Sequence, residues 1–212
     1  RLNIPCVQLH NPSHAWKTCP AQRCADANNA MLEVQRATTE KFLVLDSDMF
    51  PIRPFTTEKY AASDAAIVPQ TRSNDAGKTI NYFWNGIYYF DMATLRPKER
   101  MNWKCDDIEG VWTDVGGGMY YFLQDSTNTL YKIPHLSSGR WTALDYPMDL
   151  DMQWLQWIKS DERSTGKTFF SELYDNTFLH FRAGGNWEKR AAGVFTERIT
   201  SLEETVLHVC RN

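Results

Sequence analysis

The chain has 212 residues, with 23 Lys and Arg against 26 Asp and Glu and a formal net charge of −3. One domain of that length can bury a core without disulfides or a structural metal. Near-balanced charge gives no electrostatic case for nucleic acid or an acidic membrane surface, and 42% hydrophobic against 23% charged residues excludes a disordered chain.

Residues 3–9 read as a short strand. From 21 to 38 the pattern is helical, with Cys24, Ala27, Met31 and Val34 three or four apart on one face. The continuous apolar run KFLVL at 41–45 predicts a strand buried on both faces of a sheet, ending in Asp46-Ser47-Asp48. Pro51 and Pro54 then forbid an immediate helix. A strand is expected at 65–69, followed by a polar loop QTRSNDAGK. Residues 80–90 read as one or two β segments broken at Asn85-Gly86, and 97–105 as a charged helix. Residues 113–123 read as a glycine loop opening a helix, 130–134 as a strand, and 150–159 as a helix. The last strand is expected at 178–181, before the glycine loop AGGNW and a helical tail from Thr196. Strands and helices interleave throughout, so the fold class is α/β, one domain over 1–212 around a single central mixed sheet flanked by helices. No apolar run is long enough to span a bilayer.

The five cysteines, Cys6, Cys19, Cys24, Cys105 and Cys210, are scattered and contain no C-x-x-C pair. That pattern favours a reducing compartment and a cytoplasmic chain. The opening at Arg1, without Met or a leader-like segment, reads as that of a fragment or trimmed chain.

The chemistry concentrates at Asp46 and Asp48. Residues two apart on a strand point the same way, so both carboxylates can reach one hard cation such as Mn²⁺ or Mg²⁺. The competing bland reading is a polar strand end entering a turn, since turns are rich in Asp and Ser. His10, His14, His135 and His208 read as turn, surface or packing residues. Asp106-Asp107 and the pair Asp149 and Asp151 read as loop and cap carboxylates, with Asp149 or Asp151 as an alternative base. Gly116–Gly118 lacks the Lys and Ser/Thr of a phosphate loop. Trp84 and Trp141 read as core, Trp187 as a sugar-stacking face.

Further motifs follow in order: Arg23 on the first helix, LVLDSD at 43–48, YFWNGIYYFD at 82–91, TDVGGGMYYFL at 113–123 and LHFRAGGNWEK at 179–189. In that order the chain resembles the D-x-D nucleotide-sugar glycosyltransferases of the GT-A fold, most of all the glycogenin/galactosyltransferase-like group. The resemblance implies that Asp46, Asp48 and His180 hold Mn²⁺ or Mg²⁺ on the diphosphate of a nucleotide-diphosphate sugar. It implies that Gly184 and Gly185 admit backbone close to the phosphates, with Asn186 and Trp187 in the same loop. Lys189 or Arg182 would balance phosphate charge, Arg23 would serve the donor site, and Asn85 and Gly86 would line the sugar or acceptor pocket. Asp114 would orient the transferred sugar or act as general base on the acceptor hydroxyl. The acceptor would be a glycan, a protein or a small molecule. Gly185-Asn186-Trp187 replaces the group's usual Lys-Pro-Trp, and Asp114-Val115 replaces its Asp-Gln. The group's first strand and nucleotide-cradling loop would lie ahead of Arg1. Two other readings stay open: a D-x-D phosphohydrolase of the haloacid-dehalogenase type, and an inactive sugar- or nucleotide-binding module of the same fold.

Overall fold

A computed structural model describes residues 9–11, 19–136, 171–181 and 192–211. The chain divides into two compact units, Arg1–Val44 with Glu58–Lys132, and Leu45–Thr57 with Ile133–Asn212.

In the first unit, helix α1 (Pro20–Arg36) begins where Pro20 fits the first turn and Cys19 Sγ accepts the Gln22 amide at 3.4 Å. Its buried residues are Ala25, Leu32 and Gln35, while Val34 is exposed, so the helix is rotated from the face that apolar spacing predicts. The asparagines explain the rotation. Asn29 Oδ1 accepts the Trp103 amide at 2.8 Å, and Asn28 meets the Tyr88 hydroxyl at 3.4 Å. Polar side chains that read as surface are instead bridges to neighbouring chain.

Strand β1 (Lys41–Leu45) has the bounds its apolar run predicts. It is half-buried rather than covered on both faces, because it ends the order β1-β4-β3-β7 among the described strands. Strands β3 (Ala65–Ser73) and β4 (Thr79–Asp91) form a long antiparallel hairpin, with β7 (Leu130–Lys132) parallel to β3. The stretch expected as a polar loop is therefore strand and turn. Cross-strand pairs hold it, with Thr71 Oγ1 to Asn81 Oδ1 and Ser73 Oγ to Thr79 Oγ1 both at 2.8 Å. Pro69, which has no amide to give, lies where the register slips.

The helix expected at 97–105 is a single 3-10 turn, Lys98–Arg100. Beyond it the backbone bonds outward: the Gly116 and Gly118 amides donate to the Trp103 and Lys104 carbonyls at 3.0 and 3.1 Å. A small ribbon, β5 (Asp107–Ile108) with β6 (Val111–Trp112), precedes helix α2 (Met119–Asp125). The core is aromatic, with Phe83, Tyr88, Phe90, Trp103 and Phe122 enclosed around Leu32 and Ile67.

In the second unit, β2 (Met49–Pro51), β10 (Phe178–Phe181), β9 (Ser171–Tyr174) and β8 (His135–Leu136) form a separate antiparallel sheet in that order. Helix α3 (Ala192–Arg211) follows, burying Ser201, Leu202 and Thr205. The α/β class holds, but the described strands make two four-stranded sheets and a two-stranded ribbon instead of one central sheet. The chain leaves β1 through Asp46–Asp48, and its next strand pairs with β10. The strand at 3–9 and the helix at 150–159 lie outside the described residues, Leu9 excepted.

Candidate functional site

The second sheet has two unlike faces, fixed by the period-two alternation of its strands. Leu136, Leu173 and Leu179 share one register row family and are buried. The alternate positions are His135, Glu172, Tyr174, Phe178 and His180. His180 is paired with Glu172 on β9 and with Met49 on β2, the residue after Asp48.

From that position the imidazole reaches a carboxylate on each side. Nδ1 lies 2.9 Å from Glu172 Oε2, and Nε2 lies 3.3 Å from Asp48 Oδ1. The Tyr174 hydroxyl donates to the same Glu172 oxygen at 2.9 Å, and its ring stacks on His135 at a 13° angle. Burial alone would push the imidazole toward neutrality. The bonds to Asp48 and Glu172 and the charges of both outweigh that, and His180 is raised from 6.5 to about 9.

Asp46 and Asp48 are both near this imidazole. The turn after β1 is closed by the Met49 amide donating to Asp46 O at 3.2 Å, and the Ser47 amide donates to Asp46 Oδ1 at 2.8 Å. Burial, and then the negative charge of Asp48, raise the pKa of Asp46; the Ser47 amide and His180 pull it the other way. Among the described residues, Asp48 Oδ1 is buried with no hydrogen bond of satisfactory geometry, His180 being beside it only as an ion pair. Two mutually repelling carboxylates, one of them with an orphaned oxygen, and an imidazole nitrogen suit a divalent cation in their donor chemistry. Among the described residues, no set of three or more His, Cys, Asp or Glu stands ready-arranged around one metal position. Instead, His180 stands between Asp48 and Glu172.

The other expected site residues in the described chain belong to the first unit. Asp114 is exposed before α2; its Oδ1 accepts the Val115 amide at 2.8 Å, and its Oδ2 lies 3.8 Å from Arg72 Nη2. Arg23 is half-buried on α1, and Asn85 Nδ2 donates to Cys24 Sγ at 3.3 Å. Gly86 is buried under the Trp84 ring, which a Cβ there would strike. The glycine run is explained by close packing: Gly116 has φ +98°, and a Cβ on it would overlap the Phe83 carbonyl. Asp106 and Asp107 are turn carboxylates, accepting the Asp107 and Gly110 amides at 2.8 and 2.6 Å. His10 is exposed and His208 half-buried. Arg182, Gly184, Gly185, Asn186, Trp187 and Lys189 lie outside the described residues, as do His14, Trp141, Asp149 and Asp151.

No family model, curated protein or solved structure matches the chain. Among the described residues no helix is long and apolar enough to cross a membrane.

Glu172 and Tyr174 are the members of this site that motif reading misses. Their signal is a pair of short segments, SELY and FLHF, around Asp175-Asn176, a dipeptide suited to a tight turn. Folding that hairpin is what puts a carboxylate opposite the histidine.

Proposed function

We propose that this chain is a metal-dependent glycosyltransferase of the GT-A type, moving a sugar from a nucleotide-diphosphate sugar to an acceptor hydroxyl. The observation that carries the reading is the meeting of the half-buried Asp48 with the buried His180, from segments 132 residues apart in sequence (48 to 180), with Asp46 close enough to feel the charge of both. It is supported by the ordered motifs that accompany it along the chain. A bound Mn²⁺ or Mg²⁺ would neutralise diphosphate charge and stabilise the departing nucleoside diphosphate.

The residues of the chain do the rest. Asp46 and Asp48 supply oxygen ligands, and His180 supplies Nε2 once that nitrogen has lost its proton. The resemblance would add Arg182, Lys189, Gly184 and Gly185 for phosphate recognition, with Trp187 as a flat face for a sugar ring. Asp114, which accepts a backbone amide and pairs only distantly with Arg72, keeps a carboxylate for orienting a hydroxyl or taking its proton.

Calorimetry with Mn²⁺, UDP, GDP and a panel of their sugar conjugates tests the reading, followed by turnover assays with simple glycoside acceptors. Nucleotide binding should require Mn²⁺, and Asp48→Asn should abolish both binding and sugar transfer. Nucleotide-sugar binding without transfer or hydrolysis would mark an inactive binding module. Mn²⁺-independent binding, or release of inorganic phosphate from phosphomonoesters, would overturn the assignment.

A further inference from the structure

A buried carboxylate is costly, and an apolar residue of similar volume at its position is often neutral or stabilising. Glu172 is nevertheless buried on a short strand, beside the buried Leu173 and Tyr174. Its contacts show what that carboxylate engages.

Glu172 Oε2 is held from two directions, by the Tyr174 hydroxyl and by His180 Nδ1, each at 2.9 Å. Tyr174 is itself fixed by its stack on His135, with ring centroids 5.5 Å apart. The cross-strand register puts Glu172 directly opposite His180, so the contact belongs to the strand pairing and not to a loose side chain. With Nδ1 engaged in this way, Nε2 is the nitrogen that faces Asp48, at 3.3 Å.

We propose that Glu172, braced by Tyr174, is a positioning residue that keeps the His180 proton on Nδ1 and presents Nε2 to the Asp46–Asp48 carboxylates. This role rests on the cation-binding reading above. An imidazole can ligate through either nitrogen, and the hydrogen bond made by one decides which is left for the ion. Carboxylates behind a metal-held histidine fix its ring and make it a better donor. Without Glu172 the ring can turn over and the two tautomers compete, so the site loses a preorganised ligand while keeping all three ligating side chains.

The test uses the whole chain and Mn²⁺ alone, titrated by calorimetry, on wild type, Glu172→Ala, Glu172→Met and Glu172→Gln. A thermal unfolding curve for each protein confirms that folded material is compared; the methionine variant keeps the volume should the alanine variant not fold. Loss of the acceptor should weaken Mn²⁺ binding roughly 10- to 100-fold. Glu172→Gln, whose amide oxygen can still accept from Nδ1, should recover most of that loss. Spectra of ¹⁵N-labelled histidine with diamagnetic Mg²⁺ or Cd²⁺ should show one tautomer, with Nδ1 protonated, in wild type and a mixture in Glu172→Ala. Wild type that takes up no Mn²⁺ would overturn the cation reading and this role with it. Wild type that binds while folded Glu172→Ala or Glu172→Met binds equally well, in the same tautomer, would overturn the role of Glu172 alone.

Discussion

The β3–β4 hairpin of the first unit and the β9–β10 hairpin of the second are both antiparallel, and they bury opposite chemistry. The first carries Phe83, Tyr88 and Phe90 into a core that also encloses Trp103 and Phe122. The second encloses Glu172 and His180, and beside them Asp48. One arrangement is insensitive to its ionic surroundings, because its contacts are dispersion and area. The other depends on protonation states. The contrast separates an apolar core from a charged cluster, and it can be tested from both sides.

The largest expected effect is in the aromatic core. Trp103 stacks with Tyr88 at 4.5 Å and Phe90 at 6.2 Å, so Trp103→Ala should cost about 3–5 kcal/mol in denaturant unfolding. Cation binding per folded molecule should be unchanged.

Acidity should act on the other hairpin. Its carboxylate partners raise the His180 imidazole from the ordinary 6.5 to about 9. The stabilisation from its carboxylate partners is complete below pH 6.5 and is lost as pH rises through about 9, on the order of 3 kcal/mol. Tyr88 is held neutral by burial, its pKa raised well above 10, so the first unit should resist alkali until beyond pH 10. Hydrogen exchange at β9–β10 amides should therefore accelerate between pH 7 and 9, beyond the intrinsic pH effect, with β3–β4 amides as the reference. Equal acceleration in both hairpins would erase the distinction.

A smaller effect belongs to Gly86→Ala. The added methyl must displace the Trp84 ring, at about 1–3 kcal/mol, visible as a lower unfolding midpoint and a changed tryptophan emission. Smallest is Glu109→Gln. It removes the exposed partner of Lys78, 2.8 Å away, and should leave the midpoint where it was.

Sequence pattern alone locates much of this. KFLVL and FLHF give β1 and β10 with their bounds, because apolar strands bordered by polar residues announce themselves. Residues 70–73 do not, since Gln70, Thr71, Arg72 and Ser73 form a strand whose ladder is held by polar cross-strand pairs with no hydrophobic alternation. Residues 97–105 mislead because helical composition says nothing of where a backbone amide is claimed, and Asn29 claims that of Trp103. Within the site, Asp46, Asp48 and His180 are legible as residue types in a motif order. Glu172 is not, because its importance exists only once two strands are aligned.

That alignment is set by very little chain. Asp175 and Asn176 take left-handed conformations, φ 55° and 54°, and the Thr177 amide closes the turn on the Tyr174 carbonyl at 3.0 Å. Asn and Asp tolerate such angles far better than most residues. A strand slipped by one position shows its other face. Shortening this turn by one residue would bring Leu173 where Glu172 stands and turn the carboxylate away from the histidine, at no change in composition of the sheet. Two turn residues thus act as the ruler for the cluster, and evolution or engineering could re-aim its carboxylate by altering the length of a loop.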